Sequence, residues 1–137
     1  MTKISRFDLI VHTFVFDQDR LLLLRRANTG FLDGYYSLPG GHVEAGEEVA
    51  KAAVREVAEE SRIEVLEIEP SIIMPYGDGV DFLFEARRWR GAARIGEPDR
   101  CDDLVWLPPD RLPDKTAPYL RKALELRSAG TWYHEFR

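Results

Sequence analysis

Short apolar segments alternate with polar turns at the start of the chain and predict β-strands. Residues Phe7–Phe16 and Leu21–Arg25 are rich in Val, Ile, Leu and Phe, and the polar sequence Asp17–Arg20 lies between them. Strand-forming segments joined by a short polar turn are typical of a β-hairpin. The next residues, Arg26–Gly34, have the Asn, Asp and Gly content of a loop, and Tyr35–Leu38 is predicted to form a third, short strand.

The spacing of apolar residues then changes to a helical period. Residues from Glu47 to about Ser61 are predicted to form the first helix, and its apolar positions follow the i, i+3, i+4, i+7 pattern at Ala50, Ala53, Val54 and Val57. About a third of a turn away, the same helix carries Glu56, Glu59 and Glu60 on one face. The helix is therefore expected to pack on a core and to present three carboxylates to an adjoining cleft.

Further strands and a second helix are predicted in the rest of the chain. The strand segments are Ile63–Ile68, Ser71–Met74, Val80–Arg88 and Leu104–Leu107. The proline-rich sequence after them predicts a brief helical stretch, and Tyr119–Arg127 has the apolar spacing of a final helix that stops at Gly130. Strands on both sides of the first helix, followed by a final helix, predict an α/β fold in which a mixed β-sheet is packed with helices.

Length and composition narrow the class of protein. The 137 residues fit a single domain, 1–137, and the formal charge of −5 lacks the basic excess that is typical of proteins that bind a nucleic acid polymer. Cys101 is the only cysteine, which excludes an internal disulfide and a multi-cysteine zinc site. The first apolar run is interrupted by Asp8 and His12, so we expect no signal peptide, no membrane partner and a cytoplasmic location.

The cluster of Glu56, Glu59 and Glu60 is the strongest chemical feature of the sequence. Residues three and four positions apart on a helix are neighbours, and like charges at this spacing repel one another. A hard divalent cation with oxygen ligands relieves that repulsion. The sequence therefore predicts a Mg²⁺ or Mn²⁺ site on this helix.

The stretch from Gly40 to Ile63 resembles the box of the Nudix hydrolase family, G-x5-E-x7-R-E-U-x-E-E-x-G-U, in which U is an aliphatic residue. The matching positions are Gly41, Glu47, Arg55, Glu56, Val57, Glu59, Glu60 and Ile63. One position differs, because Arg62 stands where the family has its second glycine. Glycine adopts the left-handed conformation at a helix end most easily, so we expect Arg62 to cost about 1 kcal/mol without removing a metal ligand.

The resemblance implies a Nudix-type α/β/α sandwich that hydrolyses a phosphoanhydride bond, with water as the nucleophile and a divalent metal as cofactor. The implied substrate is a nucleoside di- or triphosphate, or a nucleoside diphosphate linked to another moiety. By the same resemblance, the side chains of Glu56, Glu59 and Glu60 and the carbonyl of Gly40 hold Mg²⁺ or Mn²⁺, and relatives of this kind often form homodimers.

Three further residues receive a role from the resemblance. Glu47 and Arg55 are expected to form a structural ion pair that holds the loop against the helix. Glu97 lies in a distant loop where many relatives have an acid, and it is a candidate for an extra metal ligand or the general base. One of the three box glutamates is the alternative for the group that orients or deprotonates the water. His12 and His134 have no partner at a recognisable spacing, and no substrate-binding residue is assigned.

Two other functions are compatible with the same fold. A catalytically silent nucleotide-binding or sensing module would be expected to lose the acidic cluster, and all three glutamates are present. Isoprenoid diphosphate isomerisation is disfavoured because the chain is short and Cys101 is far from the box in the sequence. Hydrolysis is therefore the preferred interpretation.

Overall fold

The computed structural model describes residues 2–136, so Met1 and Arg137 of the predicted domain lie outside the described residues. The strands are β1 (Asp8–Phe14), β2 (Phe16–Asp17), β3 (Arg20–Arg26), β4 (Tyr36–Ser37), β5 (Gly40–His42), β6 (Glu64–Tyr76), β7 (Gly79–Arg90) and β8 (Cys101–Leu107). The helices are α1 (Val49–Ser61) and α2 (Pro118–Ala129), and a short 3-10 helix spans Pro109–Arg111. Strands β2 and β5 are additional to the predicted elements.

These strands form two sheets of four strands each. The first has the order β5-β1-β7-β6. Strands β1 and β7 run parallel, whereas the other neighbours are antiparallel, which confirms the predicted mixed sheet. In the second sheet, β3 pairs in antiparallel fashion with β2, β4 and β8.

The predicted hairpin between Phe7–Phe16 and Leu21–Arg25 is wrong for most of its length. Strand β1 is paired on one edge by β5 and on the other by β7, which leaves no edge for β3. The chain leaves the first sheet at the buried Val15, and only β2 pairs with the start of β3. The apolar residues of β1 are thus buried in the first sheet and those of β3 in the second. Strands with both faces covered have nearly continuous apolar sequences, which explains the composition of both segments.

The two helices cover opposite faces of the first sheet. Ala53 of α1 packs with Val11 and Phe84, whereas Leu120 of α2 packs with Leu83. Since successive residues of a strand point to opposite faces, the neighbours Leu83 and Phe84 of β7 contact different helices. The resulting α/β/α arrangement confirms the predicted fold class and leaves the carboxylate face of α1 beside the sheet edge formed by β5.

The start of α1 and the continuity of β6 differ from the prediction. Helix α1 begins at Val49 and not at Glu47, because the backbone of Glu48 is extended, with φ of −69° and ψ of 140°. The strand segments predicted on either side of Pro70 form the single strand β6, whose pairing with β7 shifts at irregularities near Glu67 and Pro70. Within residues 2–136, neither helix is long and apolar enough to cross a membrane.

The sequence Gly40–His42, which lies outside the predicted strands, forms the edge strand β5. It pairs with β1 so that His42 is opposite Ile10, Gly41 opposite Val11 and Gly40 opposite His12. A Cβ atom on Gly40 would lie 2.1 Å from the backbone oxygen of Val11. This close approach explains why glycine, which is usually a poor strand residue, occupies position 40.

Candidate active site

Helix α1 and strand β5 place the predicted box residues together. A Cβ atom on Gly41 would lie 2.6 Å from the carboxyl carbon of Glu56, so the helix side chain lies directly on the glycine backbone. The amide of Gly40 donates a hydrogen bond to Oε2 of Glu60, at 3.3 Å. Two adjacent glycines thus allow two carboxyl groups of the helix to approach the edge of the sheet.

Arg55 is at the centre of the charged contacts on this helix. Its guanidinium donates two hydrogen bonds to Glu47, from Nε at 2.7 Å and from Nη2 at 3.0 Å. Its Nη1 lies 2.9 Å from Oε1 of Glu56 and 3.3 Å from Oε2 of Glu59. Nη2 also donates to the backbone oxygen of His42 at 3.1 Å. Arg55 therefore joins the segment before α1, the end of β5 and two of the three clustered glutamates.

Glu56 and Glu60 have an unusual electrostatic environment. Burial is the largest cause that raises the pKa of Glu60 well above its ordinary value of 4.5, and the charge of Glu56 adds to it. Burial also raises the pKa of Glu56, although the charge of Arg55 opposes that shift. The hydrogen bond from the Gly40 amide opposes the shift of Glu60 but does not cancel it. Such a pair favours a proton or a cation between its members.

The donor set fits a hard divalent cation. Glu56, Glu59, Glu60 and the carbonyl of Gly40 offer only oxygen atoms, which Mg²⁺ and Mn²⁺ prefer. Among residues 2–136, no three His, Cys, Asp or Glu side chains are already arranged as a closed metal-binding group. Nη1 of Arg55 holds the carboxylates of Glu56 and Glu59 in an ion-pair network. A cation would have to compete with Arg55 for these oxygen atoms.

Glu97 lies in the loop between β7 and β8, and the structure brings this loop to the end of α1. The amide of Gly96 donates a hydrogen bond to the backbone oxygen of Glu60, at 2.9 Å. Glu97 lines the same cavity as the clustered glutamates, and its charge contributes to the raised pKa of Glu60. Glu97, which follows Glu60 by 37 positions in the sequence, therefore lies near the helix carboxylates in the fold.

The cavity beside these acids has a volume of about 950 Å³. One region is lined by aromatic and apolar side chains together with an acid, namely His12, Met74, Tyr76, Asp81, Tyr119 and Phe136. Another region is lined by residues from the end of β3 and the following loop, namely Arg25, Arg26, Thr29, Phe31 and Leu32. The cavity is therefore larger than the acidic cluster alone and has chemically different walls.

His12 has a partner that the sequence does not reveal. Its Nδ1 lies 2.9 Å from each carboxylate oxygen of Asp81, and its ring stacks on Tyr119 with the ring centroids 4.3 Å apart. The hydroxyl of Tyr119 in turn contacts Ser37, at 2.5 Å, and accepts a hydrogen bond from the amide of Leu38. The parallel pairing of β1 with β7 brings His12 and Asp81 together, and no local motif could have indicated it.

Cys101 is also closer to the site than its position in the sequence suggests. It is buried at the start of β8 and lines the cavity, and the charge of Glu60 is among the causes that raise its pKa. Cys101 is therefore near the box residues in the fold although it is far from them in the sequence, so the expectation based on sequence distance is wrong. Burial is the main cause of the raised pKa, which keeps the thiol protonated and poorly nucleophilic.

Several known proteins resemble this chain in sequence. The model of the NUDIX domain family matches residues 6–126. The NAD-capped RNA hydrolase NudC of Pseudomonas aeruginosa is 36% identical over 97 residues, which cover 69% of this chain and 34% of that protein. The human 8-oxo-dGDP phosphatase NUDT18 is 30% identical over 110 residues, which cover 76% of this chain and 33% of that protein. The chain therefore spans about a third of the length of these relatives.

Solved structures resemble the fold over nearly its whole length. A MutT NUDIX hydrolase from Burkholderia pseudomallei has a TM-score of 0.82 at 28% identity, covering 88% of this chain and 98% of that one. A MutT protein from Methanosarcina mazei Go1 has a TM-score of 0.81 at 18% identity, covering 93% and 97%, which shows the fold alone. The fold of this chain, with its glutamate-bearing helix, thus belongs to the class of MutT-like α/β/α domains. The chain belongs to the Nudix hydrolase family.

Proposed function

We propose that the protein hydrolyses a phosphoanhydride bond of a nucleoside di- or triphosphate, or of a nucleoside diphosphate linked to another moiety, with Mg²⁺ or Mn²⁺ as cofactor. The observation that carries this proposal is that Glu56, Glu59 and Glu60 line the wall of one cavity together with Gly40 and Glu97, and that burial raises the pKa of both Glu56 and Glu60. Two adjacent, poorly hydrated carboxyl groups destabilise a fold at neutral pH unless a proton or cation joins them. Residues 1–137 would act as a single catalytic domain.

The roles of the chain's own residues follow from their positions. Glu56, Glu59 and Glu60 would hold the cation with their side chains, and Gly40 with its carbonyl. When bound, the cation supplies charge neutralisation for the phosphates and lowers the pKa of a bound water. Glu97 is the candidate that takes the proton of the attacking water or adds a further ligand, because it lines the same cavity. The hydrogen bonds of Arg55 orient Glu56 and Glu59.

The aromatic region of the cavity suits a nucleoside. Tyr76, Tyr119 and Phe136 offer flat apolar surfaces, and Asp81 adds a hydrogen-bond acceptor. Ligand pockets usually combine apolar walls with a few polar groups, and their volumes range from about 300 to 1,000 Å³. A cavity near the upper end of this range has space for a nucleoside, two phosphates and part of a second group.

The names of the relatives support a nucleotide-linked substrate. Two of the names mention NAD-capped RNA and 8-oxo-dGDP. A third relative is an ADP-ribose pyrophosphatase of Methanocaldococcus jannaschii, which is 49% identical over 43 residues that cover 31% of this chain and 25% of that protein. Each of these compounds contains two linked phosphates and a nucleoside. The cytoplasmic location, a homodimer and the absence of a polymeric substrate stay predictions. Because one relative is named for hydrolysis of NAD-capped RNA, an RNA substrate should also be tested.

A substrate panel tests the proposed reaction. It would contain canonical and oxidised nucleoside triphosphates, 8-oxo-dGDP, ADP-ribose, NAD, dinucleotides, sugar nucleotides and NAD-capped RNA, each assayed for release of phosphate or nucleotide. We expect hydrolysis of at least one compound with Mg²⁺ or Mn²⁺, none in excess chelator, and recovery when the metal is restored. Full activity in the chelator would contradict the metal-dependent mechanism.

Variants of the ligand helix test the proposed residues. Glu59→Gln and Glu60→Gln remove one charge each with little change of shape, so we expect a folded protein whose kcat falls by roughly 100-fold or more. Glu48→Gln is the matched control, because its exposed side chain lies 3.7 Å from Lys51 and away from the cavity. Wild-type activity in both site variants would show that the ligand assignment is wrong. Nucleotide binding without turnover in wild type would instead favour the silent module.

A further inference from the structure

Arg62 adopts a backbone conformation that favours glycine. Its φ of 64° and ψ of 14° lie in the left-handed region, where its amide donates a 3.0 Å hydrogen bond to the backbone oxygen of Ala58 and ends α1. Glycine takes this conformation without the steric conflict that a Cβ atom introduces. Arg62 therefore satisfies the helix end at a conformational cost, and its side chain makes a contact that glycine could not make.

That contact is with the loop that carries Glu97. Nη2 of Arg62 donates a hydrogen bond to the backbone oxygen of Gly96, at 3.2 Å. The amide of Gly96 donates to Glu60 O at 2.9 Å, and the amide of Arg94 donates to Ser61 O at 3.0 Å. Both polar backbone groups of Gly96 are thus bonded to the last turn of α1 or to the residue that ends it.

Gly96 also lies against the helix backbone. A Cβ atom on this residue would be 2.0 Å from the backbone oxygen of Glu59 and 3.2 Å from Nε of Arg62. On its other side, the backbone oxygen of Glu97 accepts hydrogen bonds from the amides of Arg100, at 2.9 Å, and Cys101, at 3.0 Å. The position of the Glu97 backbone is therefore fixed from α1 on one side and from the start of β8 on the other.

We infer that Arg62 is a positioning residue for Glu97: its guanidinium holds the carbonyl of Gly96 so that Glu97 stays in register with Glu59 and Glu60. The inference rests on the proposed function for its catalytic consequence but not for its structural one. The hydrogen bond of Arg62 is exposed, so it contributes little to global stability. Displacement of a catalytic group by about 1 Å, in contrast, can lower turnover by as much as 100-fold.

Three variants of Arg62 and one control variant separate an effect on the position of Glu97 from an effect on folding. We expect Arg62→Ala to lower kcat by roughly tenfold with KM and Tm nearly unchanged, and Arg62→Lys to recover part of the loss because an ammonium can still donate to the carbonyl. Arg62→Gly should lose kcat like Arg62→Ala while its Tm stays equal or rises, since glycine relieves the backbone strain. Arg94→Ala is the control, because the Arg94 contact to α1 comes from its backbone amide and remains.

A double-mutant cycle shows whether Arg62 acts through Glu97. If it does, Arg62→Ala lowers kcat roughly tenfold in the wild-type background but less than about twofold when Glu97 is already glutamine. Equal losses in the two backgrounds would overturn the inference, and so would wild-type kcat in Arg62→Gly.

Hydrogen exchange tests the structural part without any substrate. NMR exchange rates of the Gly96 and Arg94 amides should rise by roughly tenfold in Arg62→Ala, while amides in the core of β1 and β7 stay protected. Unchanged exchange at Gly96 would overturn the inference even in an active enzyme. An inactive wild type on every panel substrate would contradict the proposed function alone, because the exchange result would still decide whether Arg62 holds the loop.

Discussion

Arg55 and Glu47 form a two-point ion pair, in which Nε lies 2.7 Å from Oε2 and Nη2 lies 3.0 Å from Oε1. Glu47 precedes α1 and Arg55 lies on its second turn, so the pair attaches the connecting segment to the helix. The hydrogen bond from Arg55 is also the main cause that lowers the pKa of Glu47. Because Arg55 contacts Glu56 and Glu59 as well, the geometry of this pair is transmitted to the proposed metal ligands.

Glu47→Gln is expected to lower activity although Glu47 is not one of the proposed metal ligands. The variant loses the charge that orients Arg55, and loss of a group that orients metal ligands typically costs 10- to 100-fold in affinity or activity, so we expect roughly tenfold weaker Mn²⁺ binding. Titration calorimetry with Mn²⁺ and steady-state kinetics would measure the change. Glu48→Gln, an exposed neighbour, is the control and should bind Mn²⁺ like wild type. Unaltered affinity in Glu47→Gln would mean that the pair only stabilises the loop.

Gly40→Ala and Gly41→Ala are expected to have different effects. A Cβ atom on Gly41 meets the end of the flexible Glu56 side chain, at 2.6 Å, so the carboxylate can move and the fold survives. On Gly40 it meets the backbone oxygen of Val11, at 2.1 Å, which cannot move without separating β5 from β1. We expect Gly41→Ala to lose Mn²⁺ affinity and roughly tenfold in kcat with a small change in Tm, and Gly40→Ala to lose about 1–3 kcal/mol of stability.

Chemical denaturation and Mn²⁺ titration of the two glycine variants would distinguish these outcomes. The two substitutions are each other's control, because they add the same methyl group to neighbouring residues of one strand. Equal losses of stability would show that the Glu56 side chain is held too firmly to move. An unchanged Mn²⁺ affinity in Gly41→Ala would argue against Glu56 as a ligand.

Cys101→Ala is expected to retain hydrolysis. The thiol lines the cavity but is buried, and its raised pKa keeps it in the protonated form at neutral pH. We expect kcat within about threefold of wild type, and wild-type Cys101 should react with a thiol reagent only slowly until the protein unfolds. A kinetic assay and a timed thiol titration would check both expectations. Rapid labelling of the native protein, with loss of activity, would return Cys101 to consideration as a reactive group.

The local parts of the fold and site are predictable from the sequence, and the long-range parts are not. Helix α1 and the shared face of Glu56, Glu59 and Glu60 follow from residue spacing, because a helix brings residues near in sequence together. The partner of β1 does not, because β7 lies about 70 residues further along the chain and the apolar pattern of β1 fits any sheet neighbour. For the same reason, the contact of His12 with Asp81 has no signal in the sequence.

Arg62 illustrates a further limit of sequence reasoning. A substitution at a box glycine predicts a strained helix end, and the left-handed backbone of Arg62 agrees with this. Its side-chain contact with Gly96, however, depends on the path of a loop 34 residues away. The residue type therefore indicates a cost, whereas only the tertiary structure shows the interaction that accompanies it.

Glu60→Gln should stabilise the metal-free protein while abolishing most of its activity. A carboxyl group whose pKa is raised in the folded state binds its proton more tightly there than in the unfolded chain. The stability of the metal-free wild type must then fall as the pH rises through 4.5 towards the raised pKa of Glu60, and the glutamine variant avoids this loss. The Tm of the variant relative to wild type should therefore increase with pH.

The same variant should respond to metal in the opposite way. Saturating Mn²⁺ stabilises a folded state that binds it, so the Tm of wild type should rise and that of Glu60→Gln should change much less. Thermal unfolding between about pH 4 and pH 8, with chelator and with Mn²⁺, measures both effects. Glu125→Gln on the exposed side of α2 is the control and should follow wild type in every condition. A Tm difference that does not vary with pH would show that Glu60 is ionised normally, and the electrostatic basis of the proposed site would then be lost.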